Sequence, residues 1–147
     1  MLKKLLATDN DLALLVLRLI LGGVFFVHGA QKALGWFDGH GLTATLDFFT
    51  QGMGMPMLVA VLVVAAEFFG AIGLIVGFLT RIAAVGIFTV MVGAIALVHM
   101  PNGFFMNWSG NQAGEGIEYH LLAIAIALAL VLGGGGMASF DRALTRR

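Results

Sequence analysis

Cysteine is absent from the 147 residues of this chain. That excludes thiolate nucleophiles, CxxC redox pairs, disulfides and cysteine-held iron–sulfur clusters. Redox chemistry here would need a bound cofactor, a diffusible quinone or a partner protein. Charge is scarce as well: Asp, Glu, Lys and Arg make up 11% of residues and the formal net charge is +0. No basic run exceeds two residues, so the electrostatic footprint of a nucleic-acid-binding protein is missing. What is abundant is apolar. Hydrophobic residues reach 60%, glycine contributes 21 positions, and mean hydropathy is +1.00. Such a composition fits one integral membrane domain, residues 1–147, with the lipid bilayer as its first partner.

A helix needs about 20 mainly apolar residues to cross roughly 30 Å of hydrocarbon. Four stretches qualify, at about Asp11–Leu34, Met57–Leu79, Ile82–Met100 and Ile117–Leu132. Their continuous hydrophobicity, without alternation, excludes a membrane barrel and predicts an all-α transmembrane four-helix bundle. Asp9, Asn10, Asp11 and Arg18 break the first apolar run where a secretory signal would be uncharged, so the first helix is read as retained. Thr8 and Asp11 have the spacing of a capping box, Pro56 suits the first turn of the second helix, and Gly133–Gly136 end the fourth. A short helix is expected to start at Ser139-Phe140-Asp141-Arg142. Between the first two spans, Leu42, Leu46, Phe49 and Met53 recur at helical spacing, which predicts an interfacial helix over about 42–52.

Lys3, Lys4, Arg81, Arg142, Arg146 and Arg147 all fall at one end of such a bundle, whereas the loops Gly35–Pro56 and Pro101–Gly116 contain no Lys or Arg. The excess of positive charge at the cytoplasmic side therefore predicts an inner-membrane protein with both termini in the cytoplasm. Small residues Ala66, Gly70, Gly73 and Gly77 form a stripe on the second helix that allows close approach of another helix, within the bundle or in a homo-oligomer.

Eight ionisable side chains lie in or at the ends of the apolar segments: Arg18, His28, Lys32, Glu67, His99, Glu115, Glu118 and His120. A charge at mid-bilayer costs at least about 2.5–3.5 kcal/mol, so each needs a partner, water or an interfacial position. Depths counted from the helix ends suggest an Arg18–Glu67 pair, which reads either as a bundle-locking ion pair or as a proton or quinone-headgroup relay. Toward the loops, His28, Gln31, Lys32, His99, Glu118 and His120 converge in depth. Three readings stay open for them: a metal site on His28, His99 and His120, which lacks a tight ligand spacing; a polar pocket for a quinone or quinol; or side chains that simply reach water. Trp36 and Phe105, with Phe104 and Trp108, serve either as interfacial belt aromatics or as the lining of a ligand entrance.

The ordered series Leu17-Arg18-Leu19, His28-Gly29-Ala30-Gln31-Lys32, Glu67-x-x-Gly70, Gly77-x-x-Thr80-Arg81-x-Ala83-Ala84, Gly103-Phe104-Phe105, Glu118 and Ser139-Phe140-Asp141 resembles the DoxX family of small bacterial and archaeal membrane proteins. Gly135 departs from it, standing where relatives often carry Pro. The resemblance implies a four-helix membrane protein with both ends inside. It implies membership of a redox complex, since some relatives are subunits of a thiosulfate:quinone oxidoreductase and others work with sulfurtransferase and superoxide dismutase partners in oxidative-stress defence. On that reading His28 or His99 accepts a proton, Lys32 provides the cation for a reduced quinone oxygen, and Glu67 with Arg18 holds the helices or relays protons. The competing class is a non-catalytic membrane scaffold or assembly factor. A small-solute transporter is the weaker option, for lack of an internal inverted repeat.

Overall fold

The computed structural model describes residues 2–145, so Arg146 and Arg147, which count toward the charge bias, lie outside the described residues. Every regular element among the described residues is helical: α1 (Leu2–Leu6), α2 (Leu12–Leu34), α3 (Gly41–Asp47), α4 (Met57–Val76), α5 (Thr80–Ala94), α6 (Glu118–Gly133) and α7 (Phe140–Thr145). Helix α3 widens into a π-turn at Phe48–Gly52, and α5 continues through a π-turn at Ile95–His99 and a tight turn at Met100–Asn102. Helices α2, α4 and the α5 continuation to Asn102 are long and apolar enough to cross a membrane, and α6 is a shorter apolar helix. Sixteen residues give α6 a length of about 24 Å, short of a full hydrocarbon span. The four pack as a transmembrane bundle. Helices α1 and α7 meet at what we call the terminal end, and α3 with the Pro101–Ile117 loop lies at the loop end.

Small residues set the register. A methyl group on Gly29 would lie 2.6 Å from the Phe68 Cα, and one on Gly22 would meet Leu74 Cβ at 3.0 Å and the Ala71 carbonyl at 3.1 Å. Helix α2 therefore lies against α4 with Gly29 level with Glu67 and Phe68, and Gly22 level with Ala71 and Leu74. The stripe on α4 packs within the bundle, against α5: Gly70 faces Ala83, and Ala66 faces Gly86. Leu21, Phe25, Leu74, Ile87, Met91, Ala127 and Leu130 fill the space between the helices.

That register overturns the Arg18–Glu67 pair. Eleven residues separate Arg18 from Gly29, which is about 16 Å along the helix, so the guanidinium lies far below Glu67. It is 1% exposed, and all five of its N–H groups donate to backbone carbonyls. Nε reaches Gly135 at 2.8 Å, Nη1 reaches Leu74 at 2.9 Å and Ile75 at 2.5 Å, and Nη2 reaches Met137 at 3.2 Å and Ala138 at 2.7 Å. These acceptors are the orphan carbonyls at the end of α4 and the turn that closes the chain after α6. Helix α4 stops at Val76, three residues before its sequence-based bound, because Gly77 takes a left-handed φ of 72° and caps it.

Asp141, Arg81 and Asp11 at the terminal end also serve helix ends. Asp141, 1% exposed, accepts from the amides of Leu79 at 2.8 Å and Thr80 at 2.9 Å, the first donors of α5. Arg81 donates to the carbonyls of Val131 and Leu132 at the end of α6 and to that of Ala7. The expected capping box is corrected. Asp11 is itself the N-cap of α2, accepting from Ala13 and Leu14, while Thr8 donates to the Gly133 carbonyl at 2.9 Å and accepts from Gly136 at 2.8 Å. A methyl at Gly135 would crowd Ser139 at 2.7 Å and Thr80 at 2.8 Å, which explains the glycine there.

Arg18→Met would strand several buried carbonyls at about 1–3 kcal/mol each, so a loss of at least about 3 kcal/mol in denaturant unfolding from detergent micelles is expected. Arg18→Lys, a single ammonium that cannot span five acceptors, should recover only part of that loss.

Candidate functional site

At the loop end the chemistry centres on Lys32. Helix α2 ends at Gly35 in a left-handed cap, and the chain turns back through Phe37 and Asp38, both at positive φ of 53° and 62°. A bulky residue such as Phe is rarely found there, so this turn is strained. It is pressed against the end of α2: a methyl at Gly39 would overlap the Gln31 backbone, Gln31 Nε2 donates to the Phe37 carbonyl at 3.0 Å, and Thr45 Oγ1 donates to the Lys32 carbonyl at 3.3 Å. Between the turn, α3 and the end of α2 lies a groove of about 330 Å³, lined by polar Gln31, Lys32, Asp38 and His40 and by Phe48 and Phe49.

Lys32 Nζ donates to Glu67 Oε2 at 2.5 Å, and the two side chains are 26% and 6% exposed. Side chains lean toward the N-terminus of their own helix. Because α2 and α4 run in opposite directions, Lys32 leans into the bundle and Glu67 leans out to meet it. Lys32 stands only about 4.5 Å beyond the level of Gly29 and Glu67, well within reach. An ammonium has three hydrogens, so one bond to Glu67 leaves two for the groove.

A second polar pair forms across α5 and α6. The π-turn at Ile95–His99 widens α5 just before His99, whose ring centroid lies 4.1 Å from that of His120. His99 Nδ1 donates to the Glu115 carbonyl at 2.8 Å. His120 is 5% exposed with Nδ1 unpartnered, and the buried hydroxyl of its neighbour Tyr119 is unpartnered too.

The remaining sequence-selected residues fall elsewhere. His28, on the same face of α2 as Lys32 but one turn nearer the bundle centre, is exposed, lies 6.2 Å from the Phe25 ring and does not line the groove. Among the described residues no three His, Cys, Asp or Glu converge, so His28, His99 and His120 form no common metal centre. Glu118 is engaged by the loop, accepting from the Met106 amide at 2.8 Å, and Glu115 accepts from Asn107 at 2.6 Å, so neither is a free ligand group. Arg18 belongs to the terminal end and not to this site, for the reason of register given above. Trp36 and Phe105 are exposed and stand outside the groove. Sequence reasoning missed Asp38, His40 and Phe48 as groove residues. Their one advance signal is the glycine triplet at 35, 39 and 41, which lets the chain fold back on α2.

These features define a helical membrane protein with a partly buried Lys–Glu pair beneath an open groove at one end. More particularly, the chain belongs to the DoxX family, whose model matches residues 13–100. It is 33% identical over 120 residues to a Bacillus subtilis (strain 168) protein named "Putative oxidoreductase CatD", covering 82% of this chain and 79% of that one. It is also 30% identical over 133 residues to the Escherichia coli (strain K12) "Inner membrane protein YphA", covering 88% of each. No solved structure matches the chain.

Removing one member of a buried ion pair strands the other. Lys32→Met should therefore cost about 3 kcal/mol in micelle unfolding, and Lys32→Met with Glu67→Leu should recover most of it, a non-additivity that a double-mutant cycle measures.

Proposed function

We propose that this chain is the membrane subunit of a quinone-linked oxidoreductase and that the groove beside Lys32 receives the quinone or quinol headgroup. The observation that carries the reading is the partly buried Lys32 ammonium, anchored by buried Glu67 and keeping two hydrogens for a groove that also offers aromatic walls. Lys32 would hydrogen-bond a headgroup oxygen, the Phe48 and Phe49 rings would flank the headgroup plane, and its isoprenoid tail would leave into lipid. His40 takes the proton-accepting place in this reading instead of His28 or His99, because imidazole suits general acid–base work and His40 is the histidine that lines the groove. A quinol gives up two electrons and two protons. With no cysteine on this chain, the electrons would pass to a redox centre on a partner protein, and the protons to water at the loop end. Lys3, Lys4, Arg81 and Arg142 at the terminal end support a cytoplasmic placement of that end, hence an outward-facing groove. The word oxidoreductase in the Bacillus relative's name agrees with the class of reaction.

The test is binding of decylubiquinone or menadione to the protein in nanodiscs, followed by tryptophan quenching and by calorimetry. Ala44→Trp fills the groove and should weaken binding at least about 10-fold, close to 1.4 kcal/mol, whereas Phe69→Ala on the exposed face of α4 should leave it unchanged. Absence of binding to the unmodified protein, or binding indifferent to Ala44→Trp, would overturn the assignment and leave the scaffold reading standing.

A further inference from the structure

The segment that joins the interfacial helix to α4 reads Gly52-Met53-Gly54-Met55-Pro56-Met57, three thioethers at alternate positions in a chain without cysteine. Its backbone is pinned from both sides of the central glycine. The Met53 amide donates to the Phe48 carbonyl at 3.1 Å, the Met55 amide to the Phe49 carbonyl at 2.9 Å, and Gly54 between them takes a φ of 67°. That left-handed turn is open to glycine, and nothing lies within 4 Å of where a Cβ would stand. The result is a cleft of about 530 Å³ at the loop end, lined by Met53 and Met55 with Pro56, Val59 and Leu97 and the two glycines. Met57 follows at the first position of α4 and is exposed.

The chemistry of this lining is narrow. Apart from the two sulfurs, every side-chain atom on the cleft wall is carbon, so it offers no carboxylate, imidazole or ammonium. Hard divalent cations need oxygen or nitrogen ligands and find no side-chain donor there, whereas thioethers select soft monovalent copper. Methionine has three rotatable bonds, so sulfurs from a pinned backbone can close on one ion without moving the chain.

We propose that Met53 and Met55, with Met57 supplying the third sulfur, form a binding site for a soft monovalent cation, Cu(I), at the loop end of the bundle. The site is separate from the groove at Lys32 and does not depend on the quinone reading. Thioethers carry no proton to displace, so occupancy should be the same at pH 5.5 and pH 7.5, unlike a site that uses neutral imidazole.

The experiment uses the full chain in detergent micelles. Cu(I), kept reduced by ascorbate, is titrated against the chromophoric chelator bicinchoninate at both pH values. One ion per chain is expected, with at least a 10-fold loss of affinity in Met53→Leu/Met55→Leu, a nearly volume-conserving change that spares the packing. X-ray absorption of the copper-loaded unsubstituted protein, which depends on no variant folding, should show sulfur neighbours. No retained copper, retention unchanged in the double variant, a nitrogen-dominated absorption spectrum, or uptake that collapses at pH 5.5 and is lost in His99→Ala/His120→Ala would each overturn the site.

Discussion

A guanidinium buried among five carbonyl oxygens is the constraint on which this bundle rests. Arg18 ties the end of α4 to the turn that follows α6, two segments 56 or more residues away in sequence. Its positive charge sits at the negative end of the α4 dipole, and the carboxylate of Asp141 sits at the positive end of the α5 dipole. The two helices are joined by only the short link at Gly77-Phe78-Leu79, so the two charges neutralise opposite poles of one corner. Burying either group alone would be costly in lipid. Placed together, they supply exactly the donors and acceptors that helix ends in an apolar medium lack.

Once that corner is fixed, the rest of α2 follows from close packing. Gly22 and Gly29 leave no room for a different register against α4, because a methyl at either would meet backbone or Cβ atoms. Arg18 at one end and Lys32 at the other are therefore placed by the same two contacts. The bundle acquires two polar ends of different character, with an apolar core of Leu21, Phe25, Leu74, Ile87 and Leu130 between them.

The four apolar helices were legible in the sequence because hydrocarbon thickness dictates the length of each run, and the bundle interior dictates the small-residue stripe on α4. The partner of Arg18 was not legible. Its acceptors are main-chain carbonyls, which every residue carries, and counting depth from helix ends misjudged its distance to Glu67 by leaving Gly22 and Gly29 out of the register. The proximity of His99 and His120 depends on the π-turn at Ile95–His99, and no residue type in Ile-Ala-Leu-Val-His announces such a turn. Of the groove, Gln31 and Lys32 could be read from the end of the first apolar run. Asp38 and His40 could not, since they reach it through a strained turn at Phe37 and Asp38 that only the tertiary structure imposes.

The charged groups of the bundle divide by what answers them. Arg18, Arg81 and Asp141 are answered by backbone at helix ends, and Glu115 and Glu118 by backbone of the Pro101–Ile117 loop. The first three cannot let go without leaving helix-end groups unpaired. Lys32 and Glu67 form the one side-chain ion pair among the described residues. On the proposed reading Lys32 offers its remaining hydrogens to a polar group arriving in the groove, while its bond to Glu67 and every helix end stay in place. A buried ion pair is a poor investment in stability, given the desolvation of both charges. Under the function proposed above, its position beneath an open groove serves a ligand more directly than it serves folding.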